Sequence, residues 1–442
     1  MKSWIRLNIL LWLYGLLSFI LFLCALPVLI YRIILKGKYR LSFKKRLGIN
    51  IFSDVKQIKS GGFKLWLHSV SVGETLALIP LIHRIKMDFP KINVFLSTST
   101  EAGQSIAKKH LEKDVDIFYM PLDIPVLQDR LLRRLNPNLI LLAETELWPG
   151  LILLSKLKNI PVALIHGRLS EKSSNRYRLL KWFFSPVFRT LSFISVQSKT
   201  DYDRFMYLKI PPDNIFIDGS LKIDSLLEEI NKDTNISIDR QKWFFDDNDI
   251  VWVCGSIHPP EINIILKTFR RMKMEYSNLY LIIAPRHPEA CLELLENQLS
   301  GNESFLVYDG GNINKKCSVV IINCIGILKQ LYSICDFAFI GGSLIPHGGQ
   351  NILEAARFGK PVVFGPFMFN FNAITDIFLK TNIGVMVNHP DELKDVIKGW
   401  IDKINRDGRC SLMYNPRAIF SEYGGAVDKI ISRLKIYLDK ER

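Results

Sequence analysis

Apolar and polar positions fall into distinct regimes along the chain. From Leu7 to Tyr31, "LNILLWLYGLLSFILFLCALPVLIY" carries no charge. A helix of these 25 residues, rising 1.5 Å per residue, is long enough for a hydrocarbon layer of about 30 Å, so the pattern predicts one membrane-crossing helix. Its apolar core is too long for a cleaved signal peptide, and no small-residue cleavage site fits. Further on, short β-rich runs alternate with stretches of helical period. "KLWLHSV" leads into "GETLALIPLIHRIKMDF" and "INVFLSTST" into "EAGQSIAKKHL"; "LILLAETELWPG", "IPVALIHGR" and "LSFISVQS" add further strands. After Asp218 the same grammar restarts with "DIVWVCGSI", "LYLIIAPR", "CSVVIINC", "CDFAFIGG" and "GKPVVFGP". This alternation predicts βαβ units and parallel sheets covered on both faces. The polar "SLLEEINKDTNISIDRQKWFFDDND" reads as part of a connection. The expected fold class is therefore α/β, two doubly wound Rossmann-like domains behind one N-terminal transmembrane helix. The seam is expected near Pro211 to Ile223, giving an anchor and basic collar over residues 1–46, one domain over 47–215, and a second over 216–442 that includes the C-terminal helices.

Composition changes this picture at two points. The 442 residues suit two cores, and 48% hydrophobic with 23% charged residues is the balance of a folded protein. Seven cysteines without a CxxC pair read as reduced, buried thiols of a cytosolic body. The net charge of +15 is concentrated at the start: Lys2, Arg6, Arg32, Lys36, Lys38, Arg40, Lys44, Lys45 and Arg46 precede Asn50, with no acid among them. Two of these cations lie before the apolar stretch and seven after it, which places the large body in the cytoplasm by the positive-inside rule. The collar after the helix would lie on anionic headgroups. Charge clustered beside an apolar segment argues for membrane lipids as partner and against nucleic acid.

In doubly wound sheets ligands bind where strands end and helices begin, and the unusual residues fall there. "GGSLIPHGGQNILEAARFGKPVVFGP" puts glycines between a strand and a helix, where an anion could reach free N–H groups at the helix terminus. Glu354, one turn in, could accept hydrogen bonds from the sugar hydroxyls of a nucleotide; the plainer reading is a first-turn acid that satisfies the helix dipole. "SIHPPE" and "APRHPE" close two other strands, and Arg286 in the second suits a phosphate or a pyrimidine edge. Its plain alternative is an ion pair with Glu289. In the first half, "LHSVSVGET" places Glu74 at a helix start after His68, as a dipole-satisfying acid or as a general base. Glu144 and Glu146 follow a buried strand in "LLAETELWPG", Arg168 and Ser170 end another, and Lys222 lies in "DGSLKID" at the seam. Neither a metal-ligand pattern nor a Walker or GxGxxG loop occurs, so no metal and no cofactor are expected.

Together "LHSVSVGET", "ETELWP", "GRLS", "GSLKID", "PRHPE" and the Gly341–Pro366 stretch resemble the 3-deoxy-D-manno-octulosonic acid (Kdo) transferases of Gram-negative bacteria, motif after motif in the same order. The resemblance implies a GT-B fold, two Rossmann-like domains facing across a cleft. It also implies inverting, metal-independent transfer of Kdo from CMP-Kdo to the lipid A precursor lipid IVA in lipopolysaccharide biosynthesis, by a single-pass inner-membrane protein. Carried over by motif, Glu74 is the general base, and Glu144 and Lys222 stabilise the transition state. Pro285, Arg286, Gly326, Ile327, Leu328, Asn351, Ile352, Leu353 and Glu354 contact CMP. Ile327 stands where relatives often carry an acid, which favours a backbone role for that triplet, and "HGRLS" departs from relatives at His166 and Gly167. Two other readings stay open: a membrane-associated GT-B transferase that uses a UDP-sugar, and a nucleotide- or lipid-binding protein without catalysis.

Overall fold

The computed structural model describes residues 2–34, 42–51, 61–232, 240–299, 301, 303–311, 313 and 315–439. Collar residues Lys36, Lys38 and Arg40 lie outside them, as does the middle of the expected connection, 233–239. The chain divides into two compact units, Met1–Ser225 with Tyr423–Arg442, and Leu226–Glu422.

Among the described residues the first unit holds seven strands: β1 Lys64–Ser69, β2 Asn93–Thr98, β3 Asp116–Tyr119, β4 Leu139–Ala143, β5 Val162–Gly167, β6 Ile194–Val196 and β7 Ile215–Ile217. They lie in the order β3-β2-β1-β4-β5-β6-β7, every pair parallel. Strand β4, "LILLA", is buried at every position, as a strand with helices on both faces must be. The order reverses between β1 and β4, so the loops after these two strands diverge to opposite faces and leave a crevice at their ends.

The second unit repeats the design with β8 Ile250–Ile257, β9 Leu279–Pro285, β10 Phe305–Tyr308, β11 Val319–Ile322, β12 Phe337–Ile340, β13 Val362–Phe364 and β14 Gly384–Met386. The order is β10-β11-β9-β8-β12-β13-β14, again all parallel, and it reverses between β8 and β12.

The seam differs from the sequence expectation in two respects. Strand β7 pairs with β6, and Leu221 is buried in the first core, so the first unit runs past residue 215 to Ser225. The last helix, Ala426–Leu438, also belongs to the first unit and not to the second: Ala426, Ile430, Ile431, Leu434 and Leu438 are buried among Leu78, Leu81 and Ile85. Polar contacts fix the same attachment. Asp224 accepts the Gly425 and Val427 amides at 2.7 Å each, and Arg433 grips Asp218 at 2.6 and 2.8 Å. All of "SLLEEINK" lies in the helix Leu221–Lys232, so the expected connection begins as helix.

The N-terminal helix, Lys2–Ile34, is long and apolar enough to cross a membrane over Trp4–Tyr31. One stripe of its first half packs on the first unit. Leu10 is buried, Leu7 and Leu11 partly so, and the Tyr14 hydroxyl donates to Asp123 at 2.8 Å. Asp123 also accepts the Gly150 and Leu151 amides at 2.9 Å each and so caps the helix Pro149–Leu157. Most of the remaining apolar surface of the N-terminal helix, including Trp12, Leu16, Phe19 and Leu21, is exposed.

Candidate active site

In the first unit the strand ends flanking the order reversal carry the charged groups. Ser71 caps the helix Val72–Asp88 by accepting the Glu74 amide at 3.3 Å. The Glu74 carboxylate folds back to accept the Val70 amide at 2.7 Å and the Ser71 hydroxyl at 2.8 Å. Glu74 thus serves the start of its helix from the first turn, so the structural reading of Glu74 holds as far as it goes. It does not account for the electrostatics. Glu74 is only 8% exposed, and burial, with Glu144 nearby, pushes its carboxyl up to about 7.

Glu144 follows β4, and its environment acts in the opposite direction. Burial alone would raise its pKa, but Lys222, then Arg168, outweigh that and hold it down at about 2. Lys222 Nζ lies 2.9 Å from Glu144 Oε1, Arg168 is 3.7 Å from Oε2, and His166 Nε2 is 3.9 Å from Oε1. At an effective dielectric of about 20, a pair 3 Å apart gains about 6 kcal/mol, enough to offset a desolvation penalty of several kcal/mol. His166, the penultimate residue of β5, is fully buried and kept neutral, its pKa lowered by burial to about 3. Its Nδ1 accepts the Leu221 amide at 3.2 Å, which leaves the proton on Nε2, the nitrogen on the Glu144 side. Glu146 is less buried, and its pKa is raised by burial. The first unit thus gathers two carboxyls of opposite tendency, one kept as an anion by fixed cations and one poised to exchange a proton near neutrality. His68 stands apart from this chemistry: fully buried and neutral, it bonds through Nδ1 to the Ser97 hydroxyl at 2.8 Å.

In the second unit the amides that meet a carboxylate lie at the start of the glycine loop after β12, not at the helix terminus named in the sequence expectation. The amides of Gly342, Ser343 and Leu344 do point at a carboxylate, but it is the protein's own. Glu261 Oε2 accepts Gly342 N at 2.8 Å and His258 N at 3.1 Å, and Oε1 accepts Ser343 N and Leu344 N at 3.1 Å each. These amides are therefore not available to a ligand anion. Gly341 is needed for a second reason, since a Cβ there would collide with the Ser256 carbonyl. The helix that follows is a single turn, Leu353–Ala356, rather than the full "NILEAARF". Asn351 Oδ1 accepts the Leu353 amide at 3.2 Å, and its side-chain amide donates to Glu354 at 3.2 Å. Burial raises the Glu354 pKa against the opposing pull of Asn351 and Arg286. Arg286 itself is exposed, its backbone amide bonded to Ile257 O at 2.9 Å; among the described residues it forms no ion pair, and His287 rather than Arg286 approaches Glu289. Pro285 ends β9 beside it. Gly326, at φ 98°, is exposed, Ile327 caps the helix Leu328–Ile334, and Ile352 and Leu353 are buried. An unexpected group lies on the same loops: His258 and His347 have ring centroids 4.2 Å apart, and Gln350 touches His258 at 3.3 Å.

Comparison with known proteins gives this geometry a context. The family profile described as 3-Deoxy-D-manno-octulosonic-acid transferase (kdotransferase) matches residues 41–225, ending where the first segment of the first unit does. Over 378 residues the chain is 30% identical to the 3-deoxy-D-manno-octulosonic acid transferase of Haemophilus influenzae, spanning 85% of this chain and 87% of the relative. The chain belongs to the 3-deoxy-D-manno-octulosonic acid transferase family. A Kdo transferase of Chlamydia muridarum is likewise 30% identical, over 85% of this chain and 86% of its own. Among solved structures, UDP-GlcNAc 2-epimerase from Neisseria meningitidis has a TM-score of 0.58 at 16% identity, covering 84% of this chain and 99% of its own. A glycosyltransferase from Rickettsia africae has a TM-score of 0.59 at 12% identity, covering 86% of this chain and 99% of its own. At such identities the likeness shows the fold alone, paired Rossmann-like units of the GT-B kind. Within this Kdo transferase family member, Glu261, His258 and His347 were not singled out as site residues from the sequence; the acid of "SIHPPE", in the first turn of the helix Pro259–Glu275 and three residues after His258, was the available signal.

Proposed function

We propose that this chain moves Kdo from CMP-Kdo to a hydroxyl of the lipid A precursor lipid IVA. The observation that carries the reading is the pairing of a Glu74 carboxyl near neutrality with a Glu144 anion held by Lys222. Glu74, deprotonated, takes the proton of the acceptor hydroxyl as its oxygen bonds to the anomeric carbon of Kdo. The bond from that carbon to the CMP phosphate oxygen breaks with its electron pair, and the attack inverts the centre. Lys222, fixed by Glu144, offsets the negative charge that builds on the departing phosphate oxygen as that bond breaks. Because Glu261 occupies the loop amides, charge compensation of CMP falls to Arg286. Asn351, Glu354 and the backbone of Gly326, Ile327 and Leu328 hold the nucleoside, with Pro285, Ile352 and Leu353 shaping its seat.

The N-terminal helix and the basic residues after it associate the chain with the inner membrane, the two units on the cytoplasmic side, where an acidic acylated acceptor is held close to the protein. Mass spectrometry of lipid IVA after incubation with purified protein and CMP-Kdo tests the reading. It expects products heavier by one or more Kdo residues. Unmodified lipid IVA, or transfer only when a UDP-sugar replaces CMP-Kdo, contradicts it.

A further inference from the structure

The histidines of the second unit collect at the carboxyl ends of the strands beside its order reversal. His258 directly follows β8, Arg286 and His287 directly follow β9, and His347 and Gln350 lie on the loop after β12. His258 is buried, and its ring rests on the backbone of Gly342, where a Cβ would stand 3.4 Å from it. The exposed His347 ring leans on the His258 ring at 4.2 Å between centroids, and the Gln350 side-chain amide donates to His258 Nε2 at 3.3 Å. The His287 ring lies 6.4 Å from that of His258. The loop that carries His347 is fixed. Gly348 and Gly349 take left-handed φ values of 97° and 71°, the Gly349 amide donates to Gly342 O at 2.9 Å, and the Asn370 amide donates to Gly348 O at 3.0 Å. Among the described residues neither His258 nor His347 pairs with a carboxylate; Glu289 approaches His287 at 3.7 Å, and Glu261 is taken up by four backbone amides. Burial lowers the His258 pKa, and His347, His287 and Arg286 lower it further. An anion set among these groups relieves that mutual repulsion.

We propose that His347 and Gln350, positioned by His258, bind the carboxylate of the donor sugar beside the phosphate held by Arg286. The inference rests on the CMP-Kdo reading above and adds what selects the sugar. Kdo is an ulosonic acid: the carbon that leaves the phosphate also carries the carboxylate, so the donor presents two anions one carbon apart. Arg286 matches one of them, and the loop amides are closed to the other by Glu261. Imidazole and side-chain amide supply further N–H donors at the same strand ends. An amide carries two N–H groups, so Gln350 can hold His258 with one and a carboxylate oxygen with the other. Gln350 is followed in the chain by Asn351, placed above with the nucleoside, so the two seats adjoin as the two parts of the ligand do. A nucleotide of an aldose has hydrogen in place of the carboxylate and leaves these donors unmatched, which makes the cluster a filter for ulosonic acid donors.

The test titrates the detergent-solubilised full chain, without acceptor, with CMP, with CMP-Kdo, and with the CMP-Kdo analogue whose carboxylate is replaced by an uncharged carboxamide. The wild type is expected to hold CMP-Kdo more tightly than the carboxamide. His347→Ala, a change at an exposed side chain, should cut that preference by on the order of 10-fold, the worth of one hydrogen bond to a charged group, and leave CMP affinity unchanged. Gln350→Ala should act in the same direction. A purely structural role for either residue would not move the ratio of the two affinities. Equal binding of acid and carboxamide by the wild type, an unchanged preference in both variants, or a loss that falls equally on CMP would overturn the proposal. Failure of the wild type to bind CMP at all would contradict the donor reading as well, whereas CMP binding without discrimination for the carboxylate contradicts this inference alone.

Discussion

Glu144 and His166 hold left-handed backbone geometry, with φ of 54° and 53°. For such residues that geometry costs about 1–3 kcal/mol each, and it persists only where surrounding contacts over-determine it. Here the contacts are Lys222 and Arg168 on Glu144 and the Leu221 amide on His166. Removing the cation exposes the cost. Lys222→Ala should lower stability by about 3 kcal/mol, because it strands a buried carboxylate, and Glu144→Gln in the same chain should restore most of the loss. Purely additive losses in denaturant unfolding would show that the two side chains do not act as a pair. Glu74 gives a pH signature of opposite sense. With its pKa raised from 4.5 to about 7, folding takes up a proton in that window, so the favourable contribution is complete below 4.5 and is lost as pH rises. The stability of wild type relative to Glu74→Gln should fall by on the order of 3 kcal/mol between those values and level off above them. A flat difference would place Glu74 in an ordinary solvated environment. The carboxylates were legible in "GET" and "ETE" because each follows a buried apolar run. The left-handed turns were not, since neither Glu nor His favours that geometry intrinsically and only the assembled contacts impose it.

At the scale of elements, the glycine loop is organised by one carboxylate that spans from a neighbouring helix. Glu261→Ala leaves four amides without their acceptor, and a loss of about 2–4 kcal/mol is expected, with faster hydrogen exchange at Gly342 to Leu344. Unchanged exchange there would mean that the glycines hold the loop unaided. Which elements could be read from sequence follows a physical rule. The strands read from the pattern are the interior ones, continuous apolar runs such as "LILLA" and "WVCGSI". The four that passed unread, β3, β7, β10 and β14, are the two edges of each sheet. The edge strands are covered less completely than equally short interior strands such as β6 and β13, so their residues do not form the fully apolar runs that mark the interior ones. The anion-ready loop was legible as glycines between a strand and a helix. That its anion is Glu261 was not, because the partner lies 81 to 83 residues upstream in the chain.

At the scale of the molecule, the chain leaves the first unit at Ser225 and returns to it at Tyr423. Deleting residues 423–442 should therefore destabilise the first unit, in which Ala426, Ile430 and Leu434 are buried, and leave hydrogen-exchange protection in Leu226–Glu422 largely intact. Loss confined to the second unit would contradict that attachment. Sequence order alone assigned these helices to the domain they follow; only packing shows that their apolar face completes the earlier core. The account as a whole rests on Glu74 acting on the acceptor hydroxyl, and single-turnover transfer from CMP-Kdo to lipid IVA by wild type and Glu74→Gln, at equal occupancy by CMP-Kdo, tests it most directly. The account predicts a rate lower by roughly 10²–10⁴-fold in the variant with CMP binding unchanged; transfer at the wild-type rate would contradict it.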